Sequence, residues 1–156
     1  MVADLLEALA PVLAVLKDMD AADPNAADVL NAQFPLSGPT LRNIEQLVKE
    51  GLAAGWLCPR EGGGLRYGRA ARAGDATANF SIDTVDMSGP GPGHLHPDGE
   101  FDLCFSVSGA PTFDGNPPGW TVYPPNSWHV PTVTGGRMAI LYFLPNGSIQ
   151  FGPRPA

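Results

Sequence analysis

From Gly64 to the end of the chain there are six short strand-like runs, and no segment of helix length separates them. Residues 65–70, 77–85, 100–107, 120–123, 137–144 and 148–151 are rich in β-branched, aromatic and apolar side chains and are bounded by Gly, Pro, Asn and Asp. Parallel neighbours need a crossover connection of about a dozen residues or more, so strands that follow one another without one must pair antiparallel. The second part of the chain is therefore predicted to be mainly β, an antiparallel sandwich or barrel. Pro145-Asn146-Gly147 reads as a hairpin-type turn joining the last two strands.

The first part follows a different period. Leu5, Leu6, Leu9, Val12, Leu13 and Leu16 recur every three or four residues, the spacing of one helix face, and Pro11 must either start that helix or kink it. A second helix is predicted where Ser37 can cap, Pro39 falls in the first turn, and Leu41, Ile44, Leu47, Val48 and Leu52 form the apolar stripe, with Gly51 and Gly55 weakening and ending it. The switch lies at Gly62-Gly63-Gly64, which divides the chain into a helical segment, 1–64, and a β part, 65–156. With 156 residues there is room for one compact structural domain, and the 19 Gly and 17 Pro suit many short elements joined by tight turns. An amphipathic helix face must be buried somewhere, so the helices either cap the β part or contribute to a homodimer contact.

Nine Lys and Arg against 16 Asp and Glu give a net charge of -7, the wrong sign for a phosphate-backbone footprint, so nucleic acid is not an expected partner. No apolar run approaches the roughly 18–20 residues that cross a bilayer, and the first residues carry Asp4 and Glu7 where a signal peptide would carry Lys or Arg. A cytoplasmic protein without a membrane partner is expected. Cys58 and Cys104 have no partnered spacing and are read as reduced thiols, Cys104 as a buried structural one.

The segment Gly93-His94-Leu95-His96-Pro97-Asp98-Gly99-Glu100 carries the chemistry. In an extended chain residues two apart face the same side, so His94 and His96 can present two imidazoles to one point. A turn at Pro97-Asp98-Gly99 can return Glu100 to that side, and His129 follows later in the sequence. Divalent first-row metals accept this mixture of imidazole nitrogen and carboxylate oxygen.

The pattern resembles the cupin superfamily, whose first motif, H-x-H-x3-E, is matched by His94, His96 and Glu100, and whose second, P-x-G-x-x-H, is similar to Pro124-Pro125-Asn126-Ser127-Trp128-His129. Asn126 stands where that motif places Gly, and Asn tolerates a left-handed backbone better than most residues. The resemblance covers about 65–152 and implies an antiparallel jelly-roll barrel holding a divalent first-row transition metal (Fe, Mn or Zn) among His94, His96, Glu100 and His129. An isolated histidine is more often a core or surface residue, but this chain has three histidines and all three occupy motif positions.

The longer pattern from Gly93 through Gly119-Trp120-Thr121-Val122-Tyr123 to Leu141-Tyr142-Phe143-Leu144-Pro145-Asn146-Gly147 is similar to the small bacterial 4-hydroxylaminobenzoate lyases. That resemblance implies conversion of 4-hydroxylaminobenzoate, a small aromatic acid, to 3,4-dihydroxybenzoate with release of ammonia. Two other readings of the same residues are a cupin dioxygenase or isomerase acting on another small acid, and a non-catalytic metal- or ligand-sensing module.

An aromatic carboxylate needs a cation and flat apolar walls. Arg66 and Arg69 are candidate cations on one predicted strand; three apart, they face opposite sides, so one of them reaches the pocket. Trp120, Trp128 and Tyr142, with Tyr123, are candidate walls. Along 100–107 the alternation puts Glu100, Asp102, Cys104 and Ser106 on one face and Phe101, Leu103, Phe105 and Val107 on the other, which makes Asp102 a candidate proton carrier or partner for an imidazole.

Overall fold

A computed structural model describes all of residues 1–156. Three helices come first: α1 (Val2–Leu16), α2 (Ala26–Gln33) and α3 (Pro39–Ala54). Leu5, Leu9, Val12, Leu13 and Leu16 form the buried stripe of α1. Pro11 does not start this helix; it sits inside on the exposed face, where the carbonyl that its missing N–H would have engaged can meet water. In α3 the N-cap is Gly38 rather than Ser37, Pro39 takes the first helical position, and Gly55 closes the helix at φ 82°. A Cβ at Gly51 would stand 2.7 Å from the Leu57 side chain, so glycine there lets the chain fold back onto the helix as it leaves. The helix α2 had no readable signal in the sequence, because only Ala26 and Leu30 of its eight residues are buried.

Nine strands follow: β1 (Arg60–Gly62), β2 (Leu65–Ala71), β3 (Phe80–Met87), β4 (His94–His96), β5 (Glu100–Phe113), β6 (Gly119–Tyr123), β7 (Ser127–His129), β8 (Val133–Pro145) and β9 (Gln150–Phe151). All pairings are antiparallel, in a six-stranded sheet ordered β1-β2-β3-β8-β5-β6 and a three-stranded sheet ordered β7-β4-β9. The predicted strand from Thr77 begins three residues late. Residues Asp75–Thr77 form a 3-10 turn in which Thr77 Oγ1 donates to Arg72 O and Gly74 O, and Ala78 and Asn79 then take positive φ. The expected hairpin between the last two strands does not form. Asn146 and Gly147 do adopt the positive φ of a tight turn, with Ser148 N–H donating to Pro145 O, but the turn carries the chain across to the other sheet, where Phe151 pairs with His94.

The two faces of the large sheet have different partners. Phe80, Ile82, Phe101, Leu103, Phe105, Trp120, Leu141 and Phe143 face the helices and join their apolar stripes in one buried cluster. Burying each such side chain is worth roughly 1.5–3 kcal/mol, so this layer is where the helical segment finds cover for its apolar face. The other face presents Met87, Cys104, Met138, Ile140, Tyr142 and Leu144 to the small sheet, with Phe113 and Val133 closing the cluster. Contacts of His94 with Tyr142 and of His129 with Phe113 show the small sheet lying across this face. The result is the expected mainly β, antiparallel architecture with an N-terminal helical layer. No helix is long and apolar enough to cross a membrane.

Candidate metal centre

β4 and β7 are antiparallel partners with His94 opposite His129 and His96 opposite Ser127, so all four side chains face the barrel interior while Leu95 and Trp128 face outward. Two turns fix this register. Gly99, at φ 90°, donates its N–H to His96 O and delivers Glu100 as the first residue of β5. Asn126 stands at φ 62° and donates its N–H to His96 O, which accounts for an Asn where a Gly is usual.

His94, His96 and Glu100 are buried and His129 is nearly so, its side chain 11% exposed. The hydrogen-bond network assigns the tautomer of each ring. His94 Nδ1–H donates to Pro92 O at 3.1 Å. Ser127 Oγ gives its hydrogen to Pro124 O at 2.6 Å, leaving a lone pair for His96 Nδ1–H at 2.9 Å. His129 Nδ1–H donates to Asp114 Oδ2 at 2.7 Å. Each imidazole is therefore tied outward through Nδ1 and turns a bare Nε2 inward.

Inside, His96 Nε2 lies 3.0 Å from Glu100 Oε2, His94 Nε2 3.5 Å from Oε1, His129 Nε2 3.6 Å from Oε2, and His94 and His129 Nε2 3.2 Å apart. His96 Nε2 and both Glu100 oxygens are buried without a hydrogen-bond donor. Lone-pair atoms packed this closely repel unless a cation or a proton lies between them. Four ligand atoms about 2.1 Å from one ion, at tetrahedral to octahedral angles, stand about 3.0–3.4 Å apart along their near edges. The donor set thus fits one divalent cation, with all four atoms within 4.8 Å of one another. Burial alone would raise the Glu100 carboxyl, but in the ion-free site protons taken up on the inward nitrogens of His129, His94 and His96 outweigh it and hold Glu100 well below the usual carboxylate range.

Asp102 projects into the same interior and is fully buried, with no donor for either oxygen. Burial, followed by the charge of Glu100, pushes its carboxyl well above the usual range. It partners no imidazole; Asp114 takes that place at His129. Asp114 lies on the turn after β5, and no spacing rule in the sequence connects it to a histidine 15 residues later. Tyr123 was legible as an aromatic wall. Its ring stacks on His96 with centroids 5.4 Å apart, lies 4.3 Å from His129, and its hydroxyl donates to Asp114. Burial pushes the Cys104 thiol up, in keeping with a structural role.

The other expected site residues divide. Tyr142 is buried beside His94, ring centroids 6.4 Å apart. Phe151, which had no sequence signal, faces the same side as its cross-strand partner His94 and remains 64% exposed. Trp120 does not line the site; it lies on the helix-facing side of β6, packed on Phe143. Trp128 points out of the small sheet, donating to Gly152 O under the Arg154 guanidinium. Arg66 also faces the helices, where it donates to Leu52 O and lies 3.9 Å from Asp86. Arg69 is on the interior side of β2, as the three-residue spacing required for one of the pair, but it is held by Asp83 through bonds of 2.6 and 3.2 Å. Arg137, the other ion partner of Asp86 at 2.5 Å, is on the helix side too.

Among solved structures, the chain is similar to oxalate oxidase in complex with the substrate analogue glycolate (16% identity, 58% of this chain and 56% of that one, TM-score 0.42). It is also similar to protein NMB1881 from Neisseria meningitidis (25% identity, 62% and 95%, TM-score 0.40). In sequence it is 31% identical to a 4-hydroxylaminobenzoate lyase of Nocardioides sp. (strain LMS-CY), over 97% of this chain and 95% of that protein. It is 30% identical to one of Pseudomonas putida, over 89% of each. The family described as PnbB, 4-hydroxylaminobenzoate lyase, matches residues 7–151, and with relatives of that name aligned over nearly their whole length, the chain belongs to the 4-hydroxylaminobenzoate lyase family.

Proposed function

We propose that this chain is a metal-dependent carbon–nitrogen lyase that converts 4-hydroxylaminobenzoate and one water to 3,4-dihydroxybenzoate and ammonia. The substrate comes from the family and from relatives of that name. The metal dependence rests on one observation above all: three imidazoles tied outward through Nδ1 converge with a buried carboxylate on a single point.

His94, His96, His129 and Glu100 would hold a divalent first-row ion, which when bound supplies Lewis acidity toward the oxygen and nitrogen of the hydroxylamino group. The protein groups account for the rest. Asp102, fully buried on the same interior face as Glu100, is the protein group placed to carry a proton to the hydroxyl oxygen as the N–O bond breaks and water leaves. The electrons lost by the ring return to nitrogen, so no external oxidant or reductant is needed. A water adds at the ring carbon beside the C–N carbon, a second hydrolyses the resulting imine to release ammonia, and transfer of the proton on the attacked carbon to the new carbonyl oxygen restores the aromatic ring, for a net uptake of one water. Tyr142 and Phe151, which flank His94, supply flat apolar surface for the ring.

Replacing His94 or His129 by Ala should abolish both metal content and turnover. Full activity in a metal-free His94→Ala protein would refute the assignment, and conversion to an aminophenol without ammonia would refute the reaction.

A further inference from the structure

The Asp114 carboxylate lies outside the ligand set yet gathers three donors from three different segments. Oδ2 accepts His129 Nδ1–H at 2.7 Å and the Tyr123 hydroxyl, and Oδ1 accepts the Thr132 backbone N–H at 2.8 Å. The residue is itself pinned, because its own N–H donates to Thr132 O at 2.9 Å. It is held at φ 49°, a left-handed conformation that Asp adopts more readily than most residues but that still has to be stabilised by its surroundings. Of the three imidazoles, those of His94 and His96 are anchored by neutral oxygens, whereas that of His129, the one nearest solvent, is anchored by a charge. Through Tyr123, the same carboxylate also fixes the ring packed against His96 and His129.

We propose that Asp114 is the positioning residue of the site: it fixes the orientation and tautomer of His129 so that Nε2 faces the metal, and it locks Tyr123 against two of the ligand rings. The proposal rests on the metal-site reading above. Asp114→Asn is the discriminating substitution because it keeps the shape and removes one acceptor. If the remaining oxygen serves Thr132, the amide NH2 faces His129 Nδ1 and favours the tautomer with hydrogen on Nε2, which cannot bind an ion. If the oxygen serves His129, the NH2 meets the Thr132 N–H donor to donor.

The test is titration of the metal-free wild-type and Asp114→Asn proteins with Co(II), whose visible spectrum reports the ligand set, with Zn(II) affinity measured by chelator competition. The expected result is Zn(II) binding 10- to 100-fold weaker in the variant, with a changed Co(II) spectrum and a cooperative fold retained by circular dichroism. Equal affinities and identical spectra would overturn the proposal, even if the variant were less stable. Should the variant not fold, nitrogen NMR of the Zn(II)-loaded wild type decides: His129 protonated on Nδ1 supports the assignment, and coordination through Nδ1 overturns it. A wild type that takes up neither ion would overturn the metal-site reading and this proposal together, whereas uptake by the wild type with no difference in the variant would overturn this proposal alone.

Discussion

Replacing Asp102 by Leu should stabilise the fold and stop the reaction. The carboxyl group is fully buried, neither oxygen has a donor, and burial and the Glu100 charge both disfavour its ionisation. A buried polar group without a partner costs roughly 1–3 kcal/mol, and a leucine is close to Asp in shape and faces the buried side chains of Cys104 and Tyr142. The metal-free protein should gain about 1–3 kcal/mol. At roughly 2–4 °C per kcal/mol for a chain of this size, that is a rise in Tm of about 2–12 °C. Calorimetry in excess chelator reads this directly, and ammonia release by the metal-loaded variant reads the other half. Loss of a general acid costs about 10²- to 10⁴-fold in rate. A drop in Tm of similar size with turnover within a few-fold of wild type would refute both halves, because Asp102 would then be a structural residue held by a partner in the folded protein.

Two further predictions concern stability. In the metal-free protein the flanking carboxylates of Asp114 and Glu100 outweigh burial and push His129 up to about 9 from an ordinary 6.5. A raised folded-state value means the stabilisation is fully present below pH 6.5 and is lost as pH rises through 9, so Tm in chelator should fall across that window; a flat profile contradicts the charge sandwich. Trp120→Ala should lower stability by about 3–5 kcal/mol in denaturant titrations while leaving KM for the aromatic acid unchanged, since Trp120 packs on Phe143 and the helices; a raised KM at unchanged stability would return it to the site.

What the sequence revealed depended on whether the information was local. Period-two alternation along β5 correctly separates Glu100, Asp102 and Cys104 from Phe101, Leu103 and Phe105, because both faces of that strand are buried by chemically different layers. The H-x-H spacing and the turn after it placed three of the four converging side chains, and His129 followed from its own motif. The face of Trp120 or Trp128 depends on which sheet and which side its strand joins, and an aromatic residue carries no label for that. Arg66 and Arg69 show the same limit: spacing correctly puts them on opposite sides of β2, but the acids that bind them, Asp86 and Asp83, are fixed by the β2–β3 register. The turn at Asn146-Gly147 has hairpin dihedrals, yet the strand after it pairs with β4 because the next partner is chosen by the barrel rather than by the turn. Asp114 was invisible because its role is created by folding alone.

The most direct test is elemental analysis of the purified protein joined to an ammonia-release assay on 4-hydroxylaminobenzoate, run as isolated, after chelation and after restoring a divalent first-row metal. Near-stoichiometric metal, loss of ammonia release on chelation and recovery on restoration, with 3,4-dihydroxybenzoate formed one-to-one with ammonia, is the predicted result. Undiminished ammonia release from thoroughly metal-free protein would contradict the account at its centre.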